Sequence, residues 1–89
     1  MNTVTVSKEY IQEEIKTVFL RRASIKKAEL HNDLVLQDVL DDNLFKLAHI
    51  LLDLHEILGI IPTYEPLSEF EVFKTVKDIE DYLTEHTKC

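Results

Sequence analysis

The spacing of apolar residues along the chain predicts a protein built of helices. Between Lys8 and Arg22, apolar side chains recur at steps of three and four residues, which places them on one stripe of a helix. Ser7 stands directly before this run, where a hydroxyl can accept a hydrogen bond from a free amide of the first turn. We therefore expect a first helix from Lys8 to Arg22, preceded by a loose segment, residues 1–6.

The segment from Asp42 to Leu58 has the strongest helical pattern. Its leucines recur at alternating three- and four-residue steps, and Gly59 then provides a stop. The polar residues share one narrow face: Lys46, His49, Asp53 and Glu56. Phe45 and Leu52 lie on a flank between this face and the core. The helix carries more apolar surface than a surface helix requires, so it is either central to the bundle or offers that surface to a partner.

The rest of the chain predicts two further helices and one long connection. Residues 23–41 carry scattered apolar side chains without a period, which indicates a partly packed loop, with a functional role or a short helical turn of its own. Ser68 and Glu71 have the spacing of a capping box before a short helix. Thr75 and Asp78 repeat this spacing before a last helix that ends near His86. The pattern predicts an all-α fold of four helices, three long and one short.

Composition adds limits on the class of protein. With 89 residues, 45% of them apolar and 30% charged, the chain is expected to form one domain over residues 1–89, with 86–89 loose. The single cysteine is the last residue, Cys89, so no disulfide can form within the chain, and a reducing, cytoplasmic location is expected. No stretch approaches the roughly 20 apolar residues of a membrane span. The formal charge of −7 disfavours nucleic acids and anionic membranes as partners. A monomer that meets basic or apolar protein surfaces is the expectation.

Three segments resemble a known family. The run Asp-Val-Leu-Asp-Asp-Asn-Leu at 38–44 is similar to the acyl carrier protein signature Asp-Leu-Gly-x-Asp-Ser-Leu, and Ile61-Pro62 follows at the family's spacing. The segment from Phe73 to Leu83 resembles the family's closing helix. The resemblance implies a four-helix bundle in which a serine at the start of the second long helix carries a phosphopantetheine arm. It also implies docking by enzymes of fatty-acid, polyketide or peptide assembly.

One position departs from this signature in a way that changes the chemistry. Asn43 stands where the resemblance places the attachment serine. Attachment needs a hydroxyl oxygen, and a carboxamide nitrogen is a poor nucleophile, so no phosphopantetheine cofactor is expected unless this interpretation is wrong. Asn is still a good helix N-cap. Leu40 also replaces the glycine of the signature, which would cost energy if that position needs a positive φ.

Two hypotheses follow for function. In the first, the chain is an acyl-carrier-like domain docked by biosynthetic enzymes at the start of the second long helix. In the second, it is a non-carrying interaction or regulatory module that keeps the carrier fold. The candidate docking residues are Asp41, Asp42, Leu44, Phe45 and Leu52. The alternative for Phe45 and Leu52 is that the 23–41 segment covers their flank.

Other groupings are less specific. His49 and Asp53 are four residues apart and either share a metal or form a solvated polar face, and two ligands make an incomplete site. His55 lies on the apolar side, where a buried ring with satisfied nitrogens is expected. The basic cluster, formed by Arg21, Arg22, Lys26 and Lys27, either complements the end of the first helix or meets an acidic partner. No nucleophile and base occur in a supporting context, so an enzyme is not expected.

Overall fold

The protein forms a bundle of helices. The computed structural model describes residues 7–65 and 67–87, and within them five α-helices and one 3-10 turn, with no strand. The helices are α1 (Lys8–Ala23), α2 (Leu36–Val39), α3 (Leu44–Leu58), α4 (Glu69–Val72) and α5 (Val76–Thr87), and the 3-10 turn is Lys27–Glu29. The all-α class and the three long helices are confirmed. The short helices number two instead of one, because α2 forms inside the segment predicted as a loop.

The ends of the long helices follow the local chemistry of the sequence. The Ser7 hydroxyl accepts a hydrogen bond of 3.1 Å from the Tyr10 amide at the start of α1. α3 ends at Gly59, which has φ 69°, a conformation open to glycine because it lacks a Cβ. α5 continues through His86 to Thr87, so the prediction that residues 86 and 87 are loose is wrong. The predicted loose residues 1–6 and 88–89 lie outside the described residues.

The two predicted capping boxes differ in outcome. The Ser68 hydroxyl donates to the Glu65 carbonyl at 2.6 Å and does not cap α4, so the first capping box is wrong. At α5, the Asp78 carboxylate accepts from the amides of Lys74 at 2.8 Å and Thr75 at 3.2 Å. The acidic partner of that box thus satisfies two amides just before the helix.

The core lies between the three long helices. α1 packs against α3 and α5, and α4 packs against α3. Buried apolar side chains come from all three long helices and from the connecting segments: Ile11, Ile15, Val18, Phe19, Leu30, Leu36, Leu40, Leu47, Ile50, Leu51, Leu54, Phe73, Val76, Ile79 and Leu83. Full burial of such a side chain contributes about 1.5–3 kcal/mol, so this cluster is the main source of stability.

The 23–41 segment is attached to the start of α5. The Leu36 amide donates to the Lys74 carbonyl at 2.9 Å, and the Val76 amide donates to the Leu34 carbonyl at 3.2 Å. Val35 and Thr75 form an isolated antiparallel bridge at the same place. These backbone bonds and the buried Leu30, Leu36 and Leu40 fix the segment in the bundle, which explains how a long connection is ordered without a long helix.

Candidate functional site

The outer face of α3 carries two large apolar side chains in contact with solvent. Phe45 is 67% exposed and Leu52 is 54% exposed. They are seven residues apart, which is about two helical turns, so they lie on the same side of the helix. Buried apolar residues fill the opposite side of α3: Leu47, Ile50, Leu51 and Leu54. The apolar surface that the sequence predicted in excess on this helix is therefore present at its solvent face.

The 23–41 segment does not cover this face. It hydrogen-bonds to the residues around the start of α5, as described above, and its 3-10 turn packs against α1. The alternative in which this segment buries Phe45 and Leu52 is wrong for that reason. Leu44, another predicted docking residue, is half-buried and is less available to a partner.

A small notch lies beside Phe45, between the end of α1 and the start of α3. It has a volume of about 220 Å³ and is lined by Arg22, Asn43, Phe45, Lys46 and His49. The fold thus brings Arg22 of α1 next to Asn43, the position that corresponds to the attachment serine. Nothing in the sequence indicated this proximity, because the two residues are 21 positions apart.

An ion pair joins the end of α1 to α3 beside the notch. The Arg22 guanidinium donates to the Asp53 carboxylate at 2.6 Å and 3.1 Å, and Arg21 reaches the same carboxylate at 3.4 Å. The hydrogen bond from Arg22 lowers the pKa of Asp53. Partial burial raises this pKa, and the positive charges of both arginines lower it, so that the net shift is downward. Because surface pairs of this kind contribute little, the main consequence is geometric: Arg22 is held at the notch.

The same pairing corrects the interpretation of His49 and Asp53. The Asp53 side chain is only 14% exposed, and its carboxylate forms an ion pair with Arg22. It is therefore neither a solvated polar group nor a free metal ligand. No group of three or more possible metal ligands occurs in the part of the chain that the structure describes. Of the basic cluster, Lys27 lies 3.6 Å from Glu13 instead of joining the arginines.

Asn43 acts as the N-cap of α3. Its side-chain oxygen accepts a hydrogen bond of 3.1 Å from the Lys46 amide, and its backbone is extended, with φ −85° and ψ 92°. The residue is exposed, so the position is accessible although it has no hydroxyl. The capping role predicted from the sequence is confirmed.

The turn before Asn43 differs from the expectation for Leu40. Leu40 is buried and has φ −98°, so it does not need the conformational freedom of glycine. The positive values of φ belong instead to Asp41 at 56° and Asp42 at 60°. Both aspartates are exposed, and Asp tolerates the left-handed conformation better than most residues. The acidic pair is thereby presented to solvent at the start of α3.

His55 lies at the centre of a second polar cluster, on the inner side of α3. It is 2% exposed, and its Nδ1 donates to the Leu51 carbonyl at 2.6 Å. Its Nε2 then accepts from the Tyr82 hydroxyl at 2.9 Å. Burial lowers the pKa of His55, and the charge of His86 lowers it further, against a raising effect of the bond to Leu51. The expected buried histidine with satisfied nitrogens is confirmed.

The aromatic neighbours of His55 were not predicted. The rings of Tyr64 and Tyr82 pack against it with centroid separations of 5.7 and 5.5 Å. Phe73 packs in turn against the two tyrosines, at 5.3 and 5.1 Å. Burial, together with the nearby charge of Glu69, raises the pKa of Tyr64. These contacts join the loop after α3 to α5, so the cluster has a structural explanation.

Two buried acids also escaped the sequence analysis. Glu80 is buried on α5, 3.4 Å from the Lys8 ammonium and 3.3 Å from the Gln12 amide nitrogen. It borders a cavity of about 300 Å³ between α1, α5 and the segment around Leu30. A signal existed for Glu80, because it lies four residues after Val76 and three before Leu83, on the apolar stripe. Glu69 is buried too, and its Oε1 has no hydrogen-bond partner among the described residues.

Comparisons with known proteins do not add a relative. A scan against protein-family models matched nothing, and searches of curated proteins and of solved structures also found no match. The resemblance to acyl carrier proteins therefore rests on the motif residues alone. Within residues 7–65 and 67–87, no helix combines the length and the apolar character that a membrane crossing requires.

Proposed function

We propose that this chain is a non-catalytic protein-docking domain that partners recognise at the outer face of α3. The observation that carries the proposal is the exposure of Phe45 and Leu52, at 67% and 54%, on one side of a helix whose other side is packed. Large exposed apolar side chains that share one face are typical of protein interfaces, where a few such anchors dominate the binding energy.

The order of the helices supports a carrier-like architecture. A long first helix, a connection that contains the short helix α2, a second long helix, a second short helix and a last long helix follow one another along the chain. The acyl carrier resemblance implies a four-helix bundle, which is one helix fewer, and it places the arm at the N-terminus of the second long helix. Asn43 occupies that end, exposed and acting as the cap. In this proposal the chain keeps the docking end and lacks the arm, because the carboxamide offers no nucleophilic hydroxyl.

Two classes of partner fit this proposal. In the first, enzymes of fatty-acid, polyketide or peptide assembly dock the chain as a carrier-like domain. In the second, a partner outside such a pathway is bound or regulated by the chain. The exposed Asp42 beside Asn43 favours the first class, because it matches the aspartate that precedes the serine in the signature. Lys46 and His49 on the outer face favour the second, because the resemblance implies acidic residues there.

The attachment chemistry is tested by the intact mass of the protein after co-expression with a broad-specificity phosphopantetheinyl transferase. We expect the mass of the bare polypeptide, since Asn43 cannot be loaded. The Asn43→Ser variant is the companion sample, because it restores a hydroxyl and keeps a good N-cap. An adduct on the natural sequence would contradict the arm-less proposal.

The docking face is tested by quantitative capture of proteins from an extract of the source cells. The immobilised natural chain is compared with the double variant Phe45→Ala and Leu52→Ala. The matched control is Ile61→Ala with Leu67→Ala, which removes two exposed apolar side chains from the loop after α3. We expect the partners to be lost with the α3 pair and kept with the loop pair. Equal capture by all three samples would refute the α3 face as the docking site.

A further inference from the structure

The cavity between α1, α5 and the segment around Leu30 has the size of a small-molecule site. Its volume is about 300 Å³, which is at the lower end of the range for such sites. A liquid water molecule occupies roughly 30 Å³, so the cavity has room for a ligand of about ten non-hydrogen atoms. Three buried residues form an apolar wall: Ile15, Leu30 and Val76. A ligand with a short aliphatic body fits this wall.

Glu80 places a buried carboxylate at the same cavity. Its side chain is 3% exposed and lines the cavity from α5. Among the described residues it meets two donors, both at the long end of the hydrogen-bond range: the Gln12 amide nitrogen at 3.3 Å and the Lys8 ammonium at 3.4 Å. A carboxylate accepts about four hydrogen bonds, so part of this capacity is unused. Because buried polar groups cost free energy until they are bonded, a ligand donor beside Glu80 is stabilised.

Lys16 places a cation at the cavity from α1. It is half-buried and lies one helical turn after Gln12, which also lines the cavity. In the part of the chain that the structure describes, its acidic contact is Glu13, at 3.9 Å. Glu13 is 59% exposed and is also 3.6 Å from Lys27, so its pairing with Lys16 is weak. The Lys16 ammonium is therefore able to donate to an acceptor inside the cavity.

The charges around the cavity disfavour a ligand that is a simple anion. Lys8 balances Glu80, and Glu13 balances Lys16. Further acidic side chains lie near the lining residues in the chain: Glu14, Glu29, Asp33, Asp78 and Asp81. A simple cation would pair with Glu80 but would leave Lys16 without a partner in the cavity. A ligand that carries one charge of each sign makes use of both groups.

We propose that this cavity binds a small aliphatic amino acid as its zwitterion. The ligand ammonium donates to Glu80, the ligand carboxylate accepts from Lys16, and the side chain of the ligand packs on the apolar wall. Both polar contacts are charge-assisted hydrogen bonds, which are about twice as strong as neutral ones. No residue of α3 lines the cavity, so the site is separate from the docking face and its failure leaves the docking proposal unaffected.

Free leucine and two analogues test the ligand class. Isoamylamine lacks the carboxylate of leucine, and isocaproate lacks its ammonium. Each compound is titrated into the uniformly ¹⁵N-labelled full chain and followed by amide chemical shifts. We expect leucine to shift the amides of Ile15, Leu30 and Val76 to saturation and to leave those of Phe45 and Leu52 in place. Each analogue is expected to bind about tenfold more weakly or worse, because it loses one charge-assisted bond.

Variants of the two charged lining residues test their roles. Glu80→Gln and Lys16→Gln are each expected to weaken leucine binding about tenfold. Lys77→Gln is the matched control, since Lys77 is an exposed lysine of α5 whose ammonium pairs with Asp81 at 3.0 Å. Circular dichroism verifies the fold of each variant. Lys16→Gln alters a half-buried side chain, so it keeps the test valid if Glu80→Gln does not fold.

Three results would overturn the proposal. Absence of saturable shifts with leucine would show that the cavity holds water only. Binding of isoamylamine or isocaproate as tightly as leucine would contradict a zwitterionic ligand. Equal affinities of Lys16→Gln and Lys77→Gln for leucine would contradict the contact between Lys16 and the ligand carboxylate.

Discussion

Truncation of the exposed pair on α3 separates a docking face from a structural one. Phe45 is about one third buried and Leu52 about one half, by their exposures of 67% and 54%. Full burial of either side chain is worth about 1.5–3 kcal/mol, so removing both costs roughly 2 kcal/mol at most. Alanine has a higher helix propensity than phenylalanine or leucine, which stabilises the variant helix by several tenths of a kcal/mol. We expect the double variant Phe45→Ala with Leu52→Ala to lose about 1 kcal/mol of unfolding free energy.

The control is a leucine on the packed side of the same helix. Leu47 is fully buried, and Leu→Ala at such a site costs about 2.7–5 kcal/mol because a cavity is left behind. Urea unfolding followed by circular dichroism measures both variants in the same way. The total free energy of unfolding expected for a domain of this size is about 4–13 kcal/mol. The expected losses of the double variant and of Leu47→Ala can therefore be distinguished. A loss near that of Leu47→Ala in the double variant would refute the exposed geometry and, with it, the docking assignment.

Three further variants test the other features of the chain. Asn43→Ala is expected to lose about 1 kcal/mol of stability in urea unfolding, since it removes the cap on the Lys46 amide, whereas Asn43→Ser stays near the natural value. Burial lowers the pKa of His55 below its usual 6.5, so the folded state resists the proton that the unfolded state accepts. The contribution of His55 to the free energy of unfolding is therefore complete above about pH 6.5 and is lost as the pH falls below that value. We expect His55→Gln to reduce the difference in unfolding free energy between about pH 5 and about pH 7.5. Asp42→Val is expected to cost about 1–2 kcal/mol of stability in thermal unfolding, because a β-branched residue is strained at φ 60°. Asp33→Val is the control, since Asp33 is exposed and its φ is not positive. Equal effects of the two variants would contradict a strained turn.

The long helices were predictable because each carries its own signal. Local patterns predict them: the apolar stripe of α1 and the leucine repeat of α3 have steps of three and four residues, and Gly59 marks the end of α3. Such patterns can be recognised without knowledge of the tertiary fold. The capping role of Asn43 is of the same kind. The position of α2 was not predictable, because four residues make about one helical turn and a repeat of apolar positions needs several turns to be seen.

The candidate site was only partly predictable. The sequence placed Phe45 and Leu52 together on α3, since both belong to one helix. It could not decide whether another segment covered them, because that depends on where the 23–41 segment is attached. The pairing of Arg22 with Asp53 and the packing of Tyr64 and Tyr82 against His55 join residues distant in the chain, and charge or ring type alone does not select one partner among many.

The most direct test of the docking face is site-specific photo-crosslinking in the source cells. A photoreactive amino acid is placed at Leu52 in one sample and at Val72 in another, since both positions are exposed and apolar but lie on different helices. The account predicts a covalent adduct with a protein partner from position 52 and none from position 72. Absence of an adduct at position 52, or equal adducts from both positions, would contradict it.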